Sequence, residues 1–322
     1  MKLRIGTRGS RLALIQTEMI KNQIESLNLK TENVIIKTVG DKVLDRPIAE
    51  VGGKGVFVDS IEAALREGSI DLAVHSGKDV PSVIADDFEL YVITPRADDR
   101  DVLVMRKDIS AQDFSNEKTS GDLVVGTSSP RRKKLLTKNY LGCIDKLLRG
   151  NVPTRVDKLR QGEYDGIILA AAGIDRLGLD LSDLDVRPLD IDRFIPATNQ
   201  GIIVCEALKG SKASAILSEL ADTPAMKVLN LIMKLERILS SYMNADCYDA
   251  AAVNIKEEKK VDSEVEENGT TDSNQSDASQ LTVRWFYGDS PIYKETITLN
   301  EAIDIVNGRD RKWKKKIEES VI

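Results

Sequence analysis

Histidine is almost missing from this 322-residue chain: His75 is the only one, which rules out a His-rich metal centre. Cysteine is nearly as scarce. Cys143, Cys205 and Cys247 are too widely spaced for a disulfide framework or a zinc pattern, and this favours a reducing, cytoplasmic setting. Aromatic residues make up 4% of the chain and do not interleave with the cations, as a single-strand nucleic-acid surface would require. No apolar run approaches a membrane span, and Met1-Lys2-Leu3-Arg4-Ile5 enters a strand-like segment directly, unlike a signal peptide. The expectation is a protein that binds no metal, membrane or nucleic acid.

Positive charge is also in deficit overall, with a formal net charge of -6. Residues 256–280 account for nearly all of it, with eight acids against three lysines in a polar segment without aromatics. That composition is expected to form a disordered loop. The rest of the chain is close to neutral and can hold a basic cleft.

What is present is an alternation of strand-like and helix-like segments. LRIGT precedes an amphipathic run from Ser10 to Leu27, with Leu12, Ile15, Met19, Ile20, Ile24 and Leu27 on one side. VIIKTV, VFVDSIEAALREG, DLAVHS and ELYVIT continue the pattern. A second set runs through DLVVGT, a helix over Pro130–Lys138, IDKLLR, a helix from Val152 to about Gln161, and DGIILA. This predicts α/β layers around largely parallel sheets. IIVCEAL at 202–208 reads as a strand returning to the first set, which gives two crossings and a cleft at the hinge. Thr223-Pro224 starts a long helix to about Tyr242. The remainder reads as a small α+β domain: YDAAAVNI, LTVRWFY, IYKETITL, and a helix from Asn300 whose basic end RDRKWKKK is expected to be a solvated face.

Five short segments fall where strands give way to loops or helices, the edge at which open α/β sheets bind ligands. Arg4-Ile5-Gly6-Thr7-Arg8-Gly9-Ser10 offers a cation and hydroxyls ahead of a helix. In His75-Ser76-Gly77-Lys78-Asp79-Val80-Pro81, Lys78 can bind a carboxylate and Asp79 can stabilise a developing cation or move a proton. His75 reads as a packed residue and not as a base. Val125-Gly126-Thr127-Ser128-Ser129-Pro130-Arg131-Arg132-Lys133-Lys134 puts an N-cap and Pro ahead of four cations in the first turn of a helix. The macrodipole disfavours cations there, so an anionic partner is implied. Arg149-Gly150-Asn151-Val152-Pro153-Thr154-Arg155 repeats that logic, and Arg176 follows the next strand. Several arginine forks at one edge imply a ligand with several acidic groups. Gly52-Gly53-Lys54-Gly55 lacks the spacing and Lys-Ser/Thr ending of a phosphate loop. Cys247 lies between acids that discourage its thiolate, and on its own chemistry it reads as inert.

Taken in order, IGTRGSRLAL, VGGKGVFV, HSGKDVP, VGTSSPRR, LRGNVPTR, GEYDGIILAAAGIDRLGL, Ile195-Pro196-Ala197 and Gln200-Gly201 resemble the porphobilinogen deaminase (hydroxymethylbilane synthase) family over about residues 2–208. Residues 209–322 match more loosely, through Glu236-Arg237 and a cysteine ten positions past that arginine. The resemblance implies two α/β lobes of the periplasmic-binding-protein kind with hinge crossovers, plus a small C-terminal α+β domain. The implied boundaries are 1–95 with 196–215, then 96–195, then 216–322. It also implies a dipyrromethane cofactor held by thioether to Cys247. Four porphobilinogen units add to it head to tail with loss of ammonia, and water releases the linear tetrapyrrole. Asp79 matches the catalytic aspartate. Arg8, Ser10, Lys78, Thr127, Ser128, Ser129, Arg131, Arg132, Arg149, Gly150, Arg155, Arg176 and Gln200 match cofactor- and substrate-binding positions, with Lys133 and Lys134 left as solvated helix residues. A cytoplasmic monomer serving haem or another tetrapyrrole is the family expectation.

The chain departs from the family in three places. Ala245-Asp246 replaces the usual Gly-Gly before the cysteine, and Tyr248-Asp249-Ala250 replaces a Cys-x-x-Pro continuation. Asn199-Gln200-Gly201 replaces Gly-Gln-Gly, at a hinge. The acidic segment 256–280 is expected to be a dispensable insertion. The altered cysteine loop leaves one alternative open: a degenerate homologue that binds carboxylates without polymerising them.

Overall fold

The structure is a computed structural model that describes residues 2–37, 58–109, 123–140, 142–245, 249–258 and 280–321. It contains three sheets, and the first two share one plan.

In the first lobe, β1 (Lys2–Thr7) pairs in parallel with β2 (Lys30–Ile35) and β3 (Leu72–Ser76). β10 (Ile203–Leu208) then runs antiparallel between β3 and β4 (Phe88–Tyr91). In the second lobe, β6 (Leu123–Gly126) pairs in parallel with β7 (Cys143–Lys146) and β8 (Gly166–Ala170). There β5 (Asp101–Arg106) runs antiparallel between β8 and β9 (Leu184–Pro188). Each sheet is therefore a parallel trio interrupted by one antiparallel strand. The two interrupting strands, β5 and β10, are those by which the chain crosses between lobes. Four of the five strands in each sheet thus run in one direction, which agrees with the expectation of largely parallel sheets; β5 and β9 are strands that the sequence pattern does not mark.

Helix α1 (Arg11–Glu25) begins at Ser10, whose side chain accepts from the Ala13 N–H. Its buried face is Gln16, Thr17, Ile20 and Ile24, whereas Met19 is 36% exposed. The apolar stripe read from the sequence is thus rotated: two polar residues are buried because this end of α1 faces other polar groups. Thr17 Oγ1 donates to Thr7 Oγ1 at 2.7 Å, and Gln16 Nε2 donates to Ser76 Oγ at 3.0 Å. Helix α2 (Asp59–Arg66) covers the same sheet through Ile61 and Leu65. On the second lobe lie α3 (Pro130–Asn139), α4 (Val152–Arg160) and α5 (Ala171–Leu177). Helix α6 (Lys212–Leu220) packs Ala213 and Leu217 into the core of the first lobe.

The third unit comprises α7 (Pro224–Tyr242), the antiparallel strands β11 (Ala251–Glu258), β12 (Gln280–Tyr287) and β13 (Tyr293–Thr298), then α8 (Leu299–Val306) and α9 (Lys312–Val321). Its core joins Leu235 and Leu239 of α7 to Val253, Val283 and Trp285 of the sheet. The basic C-terminal helix is only partly solvated. Trp313 and Ile317 of α9 are buried in that core, with Trp313 edge-on to Trp285 at 5.5 Å. Leu229 and Met233 of α7 also join a first-lobe cluster, while Ala252 and Phe286 join a second-lobe cluster with Leu135, Leu136 and Phe194. The third unit is thus packed against both lobes.

Candidate active site

A cleft of about 610 Å³ opens where the ends of β1 and β3 face α4, α5 and the first turn of α3. Among the described residues its walls carry seven cations (Arg8, Arg11, Lys78, Arg132, Arg149, Arg155 and Arg176) and one carboxylate, Asp79.

Lys78 and Asp79 are presented by a one-turn 3₁₀ helix, Gly77–Asp79, directly after β3. Gly77 is required there: a β-carbon would sit 2.9 Å from the Asn199 carbonyl oxygen. Its N–H donates to the Ile202 carbonyl at 2.9 Å, which pins the turn to the returning chain. Lys78 Nζ donates to Gln200 Oε1 at 3.4 Å. Burial, reinforced by the charge of Arg132, pushes the Lys78 ammonium down to about 8 against the opposing pull of Asp79 and Asp101.

The α3 turn is built as its sequence requires. Ser129 Oγ accepts from the Arg132 N–H at 3.4 Å, and Thr127 Oγ1 accepts from the Ser129 N–H at 3.2 Å. These hydroxyls and Ser128 lie beside the cleft without lining it. The two arginines then diverge. Arg131 is 4% exposed and does not line the cleft; its Nη1 donates to Asp101 Oδ2 at 2.7 Å and to the Ile195 carbonyl at 2.5 Å. Arg132 lines the cleft and is held by Asp101 Oδ1 and by the Ile168 carbonyl, to which Nη1 donates at 2.8 Å. Lys133 pairs with Asp145 at 2.9 Å and stays exposed, as expected of a solvated residue, whereas Lys134 is half-buried and pairs with Asp289 of the third unit.

In α4, the Asn151 side chain caps by accepting from the Thr154 N–H at 3.0 Å, and Arg155 Nε donates to the Gly150 carbonyl at 2.8 Å. Gly150 has φ +115, a backbone only glycine adopts without strain. Burial and the neighbouring charges of Arg132 and Arg149 push the Arg155 guanidinium down to about 10. Arg176 Nη2 donates to the Gly201 carbonyl at 2.7 Å, but its buried Nε has no partner among the described residues. Burial lowers its pKa as well.

Four residues at this site had no role in the sequence reading. Arg11 lines the cleft and donates to the Leu177 carbonyl across it at 3.3 Å. An arginine straight after the Ser10 cap is the same unfavourable cation at a helix start that drew attention to Arg131, and it was legible by that logic. Gln16 and Asn199 also line the cleft. Asp101, which clamps both arginines, was hidden by the unread strand β5. Cys247 and residues 38–57, 110–122 and 259–279, including Gly52 to Gly55, lie outside the described residues. Helix α7 and the residues after it bring the chain to Ala245, 1% exposed and two positions before Cys247.

Cations that depress one another, and a buried guanidinium nitrogen with no partner among the described residues, suit a ligand with several carboxylates. Among the described residues no group of His, Cys, Asp and Glu is placed to hold a metal ion. No described helix is long and apolar enough to cross a membrane.

Comparison with known proteins agrees with this chemistry. The family model "Porphobilinogen deaminase, dipyromethane cofactor binding domain" matches residues 3–215. A probable porphobilinogen deaminase of Picrophilus torridus is 40% identical over 77% of this chain and 83% of its own length. The porphobilinogen deaminase of Acetivibrio thermocellus is 39% identical over 78% and 82%, and that of Desulfosudis oleivorans is 44% identical over 67% and 69%. The chain belongs to the porphobilinogen deaminase family.

Proposed function

We propose that this chain condenses four porphobilinogen molecules head to tail, releasing four ammonia molecules, and frees the product as hydroxymethylbilane by addition of one water. The carboxylate of Asp79, set among seven cations and alone in its charge among the described residues of the cleft, carries this reading. When bound, the dipyrromethane supplies the pyrrole carbon from which growth starts, and the Cys247 sulfur is its anchor.

The residues of the cleft fit that group. Porphobilinogen carries one acetate and one propionate, so a growing chain accumulates carboxylates. Arg8, Arg132, Arg149, Arg155 and Arg176, with Lys78, supply matching forks and point charges. Asp79 takes the other role. As ammonia leaves porphobilinogen, positive charge develops on its pyrrole ring. A carboxylate accepting the ring N–H stabilises that charge where it forms and can receive a proton. Anchoring through Cys247 makes successive couplings effectively intramolecular. The protein acts as a cytoplasmic monomer and feeds tetrapyrrole synthesis.

Intact mass of the purified protein tests this. The wild type is expected to carry an increment of two linked pyrrole units that is absent from Cys247→Ser, and to consume porphobilinogen. An unmodified wild type that leaves porphobilinogen untouched overturns the reading in favour of a carboxylate-binding homologue.

A further inference from the structure

Of the described residues that line the cleft, three are exposed: Arg11 at the start of α1, and Asn151 and Thr154 at the start of α4. They mark its mouth, with one lobe on either side. The other six cations of the walls are half-buried or buried. Arg11 is thus the cation that an arriving ligand can reach first.

Its guanidinium is weakly held. Among the described residues its hydrogen-bond partner is the Leu177 carbonyl at the end of α5, which Nη2 reaches across the cleft at 3.3 Å. That distance lies just beyond the usual range for such a bond, and the acceptor is neutral. No described carboxylate pairs with Arg11. Exposed arginines elsewhere do pair: Arg66 with Asp87 at 2.8 Å, Arg100 with Asp98 at 2.6 Å and Arg160 with Asp183 at 2.8 Å. Arg11 also occupies the first turn of α1, which holds no acidic residue and whose dipole favours anions. A cation in that turn, with a neutral acceptor beside it and the open cleft in front, lacks an anion that a ligand can bring.

We propose that Arg11 is a substrate-binding residue of the cleft mouth, and that it exchanges the Leu177 carbonyl for a carboxylate of the entering porphobilinogen. This rests on the function proposed above. The exchange replaces a long bond to a neutral oxygen by a charge-assisted one, in which the guanidinium can use two N–H groups at once. It also releases a contact between α1 of the first lobe and α5 of the second at the point where the ligand enters.

Calorimetric titration of the holoenzyme with three unreactive probes tests the assignment. The first is porphobilinogen with hydrogen in place of its aminomethyl group. The other two are the same molecule with either the acetate or the propionate converted to its primary amide. Arg11→Gln removes the charge from an exposed position and is expected to unfold within a few degrees of wild type. It should lose about fivefold in affinity for the dicarboxylate. The loss should persist for one monoamide and shrink to within about twofold for the other, which lacks the carboxylate that Arg11 holds. Arg11→Lys, which keeps the charge, should recover most of the affinity. Equal losses for all three probes, or no loss for any, overturn the proposal and leave Arg11 a clasp between the lobes or a solvated cation. A wild type that binds no probe and carries no pyrroles on Cys247 overturns the function itself, a separately recognisable result.

Discussion

Arg132 presents its guanidinium to the cleft while Asp101 grips it from behind, with Nε and Nη2 both donating to Oδ1 at 3.1 and 2.7 Å. The other oxygen of Asp101 takes Arg131. One buried carboxylate thus aims a ligand-binding arginine and anchors the first turn of its helix. Gln200 Nε2 adds a third donor to the same Asp101 at 3.0 Å and, through its own oxygen, meets Lys78. The cations of the two lobes are in this way tied together at the hinge.

Removing that carboxylate should be costly. Asp101→Ala leaves two buried guanidinium groups uncompensated, and a loss of about 3–5 kcal/mol is expected in denaturant unfolding. Burial alone would raise the Asp101 pKa, but Arg131 and Arg132 outweigh it and hold the carboxyl well below the usual range. The stability it contributes is therefore complete above about pH 4, the value for an unfolded aspartate, and is lost only at lower pH. Urea midpoints of wild type and Asp101→Asn should keep a constant gap from pH 7 down to about pH 4, and the gap should narrow only below that pH and still be open at about pH 3. A gap that closes near neutrality would contradict the assignment.

Lys78 sets an alkaline limit on binding. Its ammonium in the free cleft titrates at about 8, below the ordinary lysine value, so the fraction charged falls as pH rises through that point. KM for porphobilinogen should rise above pH 8. Lys78→Arg, which stays protonated, should remove that rise. The stability consequence has the opposite sign: between about pH 8 and 10.4 the unfolded chain binds more protons at this residue, so its contribution to stability increases with pH. Identical KM profiles for the two proteins would exclude Lys78 as a carboxylate ligand.

Asp79→Asn keeps the shape and a hydrogen-bonding oxygen but removes the charge. Turnover should fall by about 10²–10⁴, with affinity for an unreactive substrate analogue changed only a few fold. Single-turnover rates and analogue titration separate the two effects. Near-normal turnover would remove Asp79 from the chemistry.

The acidic insertion should be removable. Glu258 at the end of β11 and Gln280 at the start of β12 are direct cross-strand partners. Replacing residues 259–279 by Asn-Gly, which favours a two-residue hairpin turn, joins them without changing register. The shortened protein is expected to melt within a few degrees of wild type and to keep its activity. Loss of either would give the segment a role in the fold or the reaction.

Much of this was legible in the sequence because it is encoded locally. Caps such as Ser129-Pro130 and Thr223-Pro224 specify helix starts through neighbouring atoms, and the structure places α3 and α7 at those residues. What was not legible is encoded by pairing across distance. β5 reads DVLVMR without alternation, because all but its last residue are buried between β8 and β9. The separate fates of Arg131 and Arg132 follow from a partner thirty residues away, and the strand holding that partner was not recognised.

The place of β10 between β3 and β4 also orders events at the ribosome. β1 to β4 are synthesised first, yet their sheet has a gap until residues 203–208 emerge. The second lobe has its own antiparallel strand, β5, at its start and can close as soon as β9 is made. The lobe translated first is therefore completed last, and a chain stalled before residue 203 leaves β3 and β4 each with an open edge, the condition under which sheets recruit foreign strands.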